Sequence, residues 1–194
     1  MTFRIPLLIV LGLMVLSSCK EENVLPEPQI EAPLVALNYD GRNVDAPILP
    51  NGNTFEAGIR IPASFMKDYP GGMLTEVYYY LKAVPTSCTV KIYKGTTASG
   101  APEALVYSAI TSSDVIGNSW NRHILSTAVA AENKDLWIVI RFFGSSGAGT
   151  LGCDSGPAAS DGDWLLDSDD NQWLKLSARS AININWNIRG VLEP

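Results

Sequence analysis

The chain has 194 residues, 14 Lys+Arg against 20 Asp+Glu for a net charge of -6, a single histidine and a hydrophobic fraction of 46%. A negative balance without any basic run argues against nucleic acid as a partner and against adhesion of the protein surface to anionic lipid. Regular apolar segments and ample aromatic residues mark one domain-sized folded unit, not a disordered chain.

In chain order, Arg4 precedes an apolar run over residues 5–16, followed by Leu16, Ser17, Ser18 and Cys19. The run is shorter than the ~20 residues of a spanning helix, and small residues before a cysteine complete a secretory signal. Leu-Ser-Ser-Cys resembles the lipobox of bacterial lipoproteins, in which the thiol is diacylated and the cysteine becomes the first residue. The resemblance implies a signal peptide at 1–18, lipid attachment at Cys19 and anchoring to the outer membrane by lipid; an uncleaved anchor or a signal cut elsewhere are the alternatives. Lys20, Glu21 and Glu22 resemble the surface-export signal of Bacteroidetes lipoproteins, which implies the exterior face. Pro26, Pro28 and Pro33 then stiffen residues 19–33 into a linker ahead of a domain at 34–194.

Within that domain, strand-like runs alternate with Gly, Pro, Asn, Asp and Ser. Residues 54–61 place Phe55, Ala57, Ile59 and Ile61 on one face and Glu56, Gly58 and Arg60 on the other. Residues 73–82 and 87–94 follow, the second with Cys88, Val90 and Ile92 sharing a face; 105–110 and 119–126 are weaker. Residues 136–143 are apolar on both faces, which predicts a central strand. Residues 163–167, 172–177 and 182–192 complete the set, and 62–69 supply a single helical turn. Roughly ten short strands without a sustained helix predict an all-β antiparallel β-sandwich of jelly-roll type.

Reactive constellations are sparse. His123, opposite Trp120 and Ile124 on its strand, reads as an exposed or hydrogen-bonded structural residue. Ser155 lacks a base and an orienting acid, so Asp154-Ser155-Gly156-Pro157 reads as a tight loop. Asp154, Asp161, Asp163, Asp167, Asp169 and Asp170 cluster in sequence, which keeps a small glycoside hydrolase in view as a minor alternative, although aspartate also favours turns. Asp167, Asp169 and Asn171 match the opening of a calcium loop, but Gln172 and Ala178 stand where Gly and Glu belong; a hairpin turn is the other reading. Calcium is thus the only cofactor in view. Cys88 and Cys153 are either a disulfide or two buried thiols.

The last run alternates Asn183, Asn185, Asn187 and Arg189 with Ile182, Ile184, Trp186 and Ile188. Amides and a guanidinium near Trp164 and Trp173 are the chemistry of a sugar or peptide site, so Trp164, Trp173, Asn185, Asn187 and Arg189 are the candidate ligand residues. A solvated face with cross-strand hydrogen bonds is the alternative.

Segments 54–57 (Thr-Phe-Glu-Ala), 60–62 (Arg-Ile-Pro), 90–94 (Val-Lys-Ile-Tyr-Lys), 135–138 (Asp-Leu-Trp-Ile), 152–157 (Gly-Cys-Asp-Ser-Gly-Pro) and 185–190 (Asn-Trp-Asn-Ile-Arg-Gly) recur in that order. They resemble β-sandwich modules of secreted and surface Bacteroidetes proteins, similar to cleaved-adhesin, galactose-binding-like jelly rolls. The resemblance implies a noncatalytic surface module binding glycan, peptide or a partner protein; the alternative is a structural or accessory subunit of an outer-membrane complex.

Overall fold

The computed structural model describes residues 26–31, 33–50, 52–144 and 149–194; the signal stretch, Cys19 and the export motif lie outside them. Among the described residues there are ten strands: β1 (Val35–Leu37), β2 (Thr54–Ile61), β3 (Met73–Leu81), β4 (Cys88–Thr96), β5 (Pro102–Ile110), β6 (Ser119–Ala130), β7 (Leu136–Phe143), β8 (Trp164–Asp167), β9 (Gln172–Lys175) and β10 (Ile188–Glu193). Two short helices, α1 (Ala63–Met66) and α2 (Leu176–Arg179), interrupt them. The strands form a four-stranded sheet in the order β1-β10-β3-β6 and a six-stranded sheet in the order β5-β4-β7-β2-β8-β9. All ladders are antiparallel. This is the anticipated β-sandwich, with jelly-roll strand order and the β8–β9 hairpin added beside β2.

The alternation in β2 explains its place, since Phe55, Ala57, Ile59 and Ile61 are buried between the sheets while Glu56 and Arg60 point outward. Strand β7 lies between β4 and β2, as its two apolar faces require. Tyr79, Leu74 and Leu81 of the smaller sheet meet Phe55, Phe142, Ile59, Ile92 and Ile138 of the larger one, with Trp186 in the same core. Burial of these side chains is the main term holding the layers together.

Three segments depart from the sequence reading. The run over 182–192 is a strand only at Ile188–Glu193. Ahead of it, Trp186 bridges Cys153, and Asn183 and Asn185 brace the 154–159 loop, so local side-chain bonds replace a ladder. The run over 172–177 ends at Lys175, where the chain turns into α2 and Ser177 donates both its N–H and its hydroxyl to Asp163. Strand β1 is an addition, paired to β10.

The disulfide reading is corrected. Cys88 pairs with Phe142 in the larger sheet and faces Tyr79, whose Oη lies 3.9 Å from its Sγ; Cys153 sits in a loop bridged to Asp45 and Trp186. Both are free, buried thiols. Burial pushes both thiols up, Cys153 to about 11, so each behaves as a small buried hydrophobe.

Candidate ligand-binding face

The five candidate ligand residues separate onto two sides of the sandwich. On the side of the four-stranded sheet, Arg189 of β10 and Asn185 and Asn187 just ahead of it are 8%, 4% and 0% exposed, too buried to meet a ligand. Asp40 accounts for two of them. Its carboxylate accepts from Arg189 Nε (3.1 and 3.0 Å), Arg189 Nη2 (2.9 Å) and Asn187 Nδ2 (2.8 Å). The guanidinium also stacks 4.5 Å over Trp120 and donates to Glu27 at 2.7 Å. Asn185 belongs to Asp154, which accepts from Asn185 N, Asn185 Nδ2, Gly41 N and Gly156 N. Burial alone would raise Asp154, but these four donors outweigh it and hold the carboxyl below its ordinary range. The amide ladder is therefore a buried brace, with Glu27, Asp40 and Gly41 held over it.

Asn43 Oδ1 and Asn187 Oδ1 are buried without a donor, and both lie against Gly152, where an added Cβ would come within 2.6 and 3.0 Å of them. Two neutral acceptors beside an already committed Asp40 do not make a divalent-cation set. Among the described residues no group of three or more His, Cys, Asp or Glu is placed to hold a metal.

The calcium-loop candidates form the β8–β9 turn. Asp167 Oδ1 accepts from Asn53 Nδ2 (3.0 Å) and Asp169 N (3.1 Å), Asn53 Nδ2 also reaches Asp169 Oδ2 (2.7 Å), and Asn171 takes φ 51°. Asp170 accepts from both terminal nitrogens of Arg179, at 2.6 and 3.0 Å. The oxygens turn the chain, as aspartates in hairpins do. His123 bonds Tyr107 Oη through Nε2 at 2.8 Å, the structural role expected of it, and burial lowers its pKa.

Trp164 and Trp173 do come together, on the outer face of the six-stranded sheet, where they meet Trp137. The register sets Trp137 opposite Arg60 and Tyr93, and Trp164 opposite Gly58 and Lys175. Ring centroids lie 5.2 Å apart for Trp137–Trp164 and 5.7 Å for Trp137–Trp173. Trp137 is fully buried at the bottom; Trp164 and Trp173 are half-buried above it. Gly58 makes the space, since a Cβ there would stand 2.8 Å from Val139 Cγ2 and 3.7 Å from Trp173 Cη2. Polar anchors fix the cluster from below: Trp137 Nε1 donates to Thr96 Oγ1 at 3.0 Å, and Trp186 Nε1 donates to the Trp164 carbonyl at 3.0 Å.

Charge surrounds the rings. The Arg60 guanidinium lies 6.0 Å from both the Trp137 and Trp164 rings and pairs with Asp161 at 2.8 Å; Lys175 Nζ lies 5.6 Å over Trp164. Further along the same face Glu56 pairs with Lys91 and accepts from Tyr93 Oη at 3.2 Å, and burial raises the Tyr93 phenol. The β4–β5 turn closes one side: a Cβ on Gly100 would sit 3.6 Å from Trp164 Cη2. Ser99 and Ala101 from this turn and Asn171, Gln172, Trp173 and Leu174 from the β8–β9 hairpin line a cleft of about 300 Å³. Since β5 and β9 are the two edges of the sheet, the turn reaches across the outer face and makes it a trough.

Trp137, Arg60, Lys175 and the 97–101 turn were not singled out from sequence. The usable signal was the doubly apolar β7 beside a glycine in β2. A tryptophan on the outer side of a central strand requires cover, and the two tryptophans of the next hairpin supply it.

The fold and this face define an all-antiparallel jelly-roll sandwich with an aromatic trough on one sheet. No family model matches the chain, and no curated protein is similar to it. Among solved structures it resembles a clostridial cysteine protease, Cwp84 after propeptide cleavage, with a TM-score of 0.54, 10% identity and 86% of this chain covered. A structure of the cysteine protease and lectin-like domains of Cwp84, a surface layer associated protein of Clostridium difficile, aligns at a TM-score of 0.47 and 12% identity over 73% of the chain. The chain spans 41% and 32% of those chains. At such identity the likeness is one of fold.

Proposed function

We propose that this protein is a noncatalytic glycan-binding module, displayed on the outer face of a Bacteroidetes outer membrane through a lipid on Cys19. One observation carries the binding reading: Trp164 and Trp173, half-buried on a rigid Trp137 floor, border a trough with uncommitted polar groups. Indole rings offer flat apolar faces to the C–H faces of sugars, while amides and hydroxyls fix orientation. Trp173 Nε1 and the Asn171 side-chain amide have no hydrogen-bond partner among the described residues, so their donors are free for a ligand.

The N-terminal side supports display. Glu27, near the start of the described chain, is held by Arg189 on the outer face of the four-stranded sheet, opposite the trough. The test is binding of the folded domain to immobilised oligosaccharides, read also by intrinsic tryptophan fluorescence. Wild type binds and Trp173→Ala loses at least ~10-fold, matching the strength of one aromatic contact. No binding by wild type to any glycan, or full binding by the folded variant, refutes the reading.

Edge strand β5 favours the accessory-subunit reading, because Leu105, Val106 and Ile110 are exposed there, beside β6 with its exposed Ile124. Crosslinking of intact cells that recovers only monomer rejects it.

A further inference from the structure

We propose that the trough selects acidic glycans, those carrying carboxylate or sulfate groups, and that Lys175 is the residue that reads their charge. The inference rests on the glycan-binding reading and adds the class of sugar.

Most charges around the rings already have partners. Asp161 is neutralised by Arg60 at 2.8 Å, Glu56 by Lys91, and Asp170 by Arg179 at 2.6 Å. Asp135 accepts from Ala63 N at 2.8 Å and Thr96 Oγ1 at 2.5 Å. Asp167 lines a different cavity, with Phe55, Leu165 and Leu176, and shares the Asn53 amide with Asp169. Glu103 stands at the base of the β4–β5 hairpin, beside Gly95. Lys175 differs from all the cations named here. Its ammonium has no carboxylate within 4.0 Å among the described residues, and Trp164 is the group it touches.

Lys175 also shares a strand face with Trp173, two residues away on β9, and stands across the ladder from Trp164. A sugar stacked on these rings therefore places its equatorial substituents beside a free ammonium. The neighbouring cation, Arg60, is already taken by Asp161 at 2.8 Å, with Asp135 3.8 Å from its Nη1, so Lys175 carries the uncommitted positive charge beside Trp164. On a protein of net charge -6 this unpaired ammonium is an exception to the overall sign. It attracts anionic ligands, repels amino sugars and leaves neutral sugars with stacking alone.

The experiment titrates the folded domain with four oligosaccharides of equal length: a polyuronate, a sulfated galactan, a neutral galactan and a glucosamine oligomer. Calorimetry at low salt and at about 0.5 M salt reads affinity. An acidic oligomer should bind about two- to fivefold tighter than the neutral one at low salt, and the advantage should shrink with salt as an exposed ion pair is screened. Lys175→Gln should bring acidic-oligomer affinity down to that of the neutral oligomer measured on the same variant, while Lys175→Arg retains the advantage. Uronate against sulfate identifies which anion is read. Equal affinity for acidic and neutral oligomers, or an acidic preference that survives Lys175→Gln, overturns the inference while the trough still binds sugar. Failure of every oligomer to bind overturns the glycan reading itself.

Discussion

Replacing Asp40 by alanine should unfold the domain far more readily without touching the aromatic trough. Its side chain is 0% exposed and that of Arg189 is 9% exposed, so the mutation strands a guanidinium out of water. Asp40 accepts three contacts from that guanidinium at 2.9–3.1 Å, one from Asn187 at 2.8 Å and one from Asn38 at 2.8 Å. Breaking one partner of a buried pair costs about 3–5 kcal/mol. For a domain of this size each kcal/mol lowers Tm by about 2–4 °C, which places the drop at roughly 10 °C. Urea unfolding followed by tryptophan fluorescence gives the free energy, and glycan titration of the folded fraction gives affinity. Asp40→Leu combined with Arg189→Met should recover most of the loss, because an apolar pair needs no hydrogen bonds. A cost under ~1 kcal/mol for Asp40→Ala, or a loss of glycan affinity in the folded variant, refutes the assignment of Arg189 and Asn187 as a brace.

Cys88 and Cys153 should each react with a thiol reagent in denaturant but not in the native domain, and reduction should leave the mass unchanged; a two-dalton gain reinstates the disulfide. Gly58→Ala should push Val139 and Trp173 outward at a cost of about 1–3 kcal/mol and shift the tryptophan emission, whereas an unchanged spectrum and stability contradict the packing of Trp173 over the sheet. The low carboxyl pKa of Asp154 contributes stability that is complete above the unfolded-state value of about 3.9 and is lost as pH falls through the folded-state value. Asp154→Asn should therefore destabilise the domain at pH 7, where Asn185 and Gly41 would meet an amide donor, and flatten the acid limb of the stability curve; identical pH profiles would contradict this.

Alternation made β2, β4 and β7 readable, because a half-buried strand writes its two faces in consecutive residues. Phe55-Glu56-Ala57 is enough to place Glu56 outside and its neighbours in the core. The same rule left Asn183, Asn185 and Asn187 open between a ligand site and a hydrogen-bonded face. Alternation shows that a side chain leaves the core layer but not whether solvent or another piece of the chain lies beyond. Asp40 is 147 residues from Asn187, and nothing local to either announces the contact. Trp164 and Trp173 were legible as partners because a hairpin of four-residue strands keeps them close. Trp137 required the order β7-β2-β8, a long-range fact.

The two sides of this sandwich use the same vocabulary, a cation over an indole beside a carboxylate, and differ in what remains uncommitted. Arg189 over Trp120 is closed: Asp40, Glu27 and the Gly41 carbonyl take its donors, and the N-terminal segment lies on top. A ligand there would have to displace charge-assisted bonds in a buried setting, which costs more than a sugar hydroxyl returns. Lys175 over Trp164 is uncommitted, its ammonium held by a ring alone, and its strand neighbour Trp173 lines the cleft. Satisfied donors make a brace and unsatisfied ones make a site, so residue type alone, which is all a sequence supplies, could not separate Arg189 from Lys175. The division also follows from topology. β10 receives β1 at its edge and Glu27, Asp40 and Gly41 over its outer face, while the six-stranded sheet uses its extra hairpin to build a wall instead of a lid. The side that Glu27 and Asp40 cover is sealed, and the opposite side keeps its donors for a ligand.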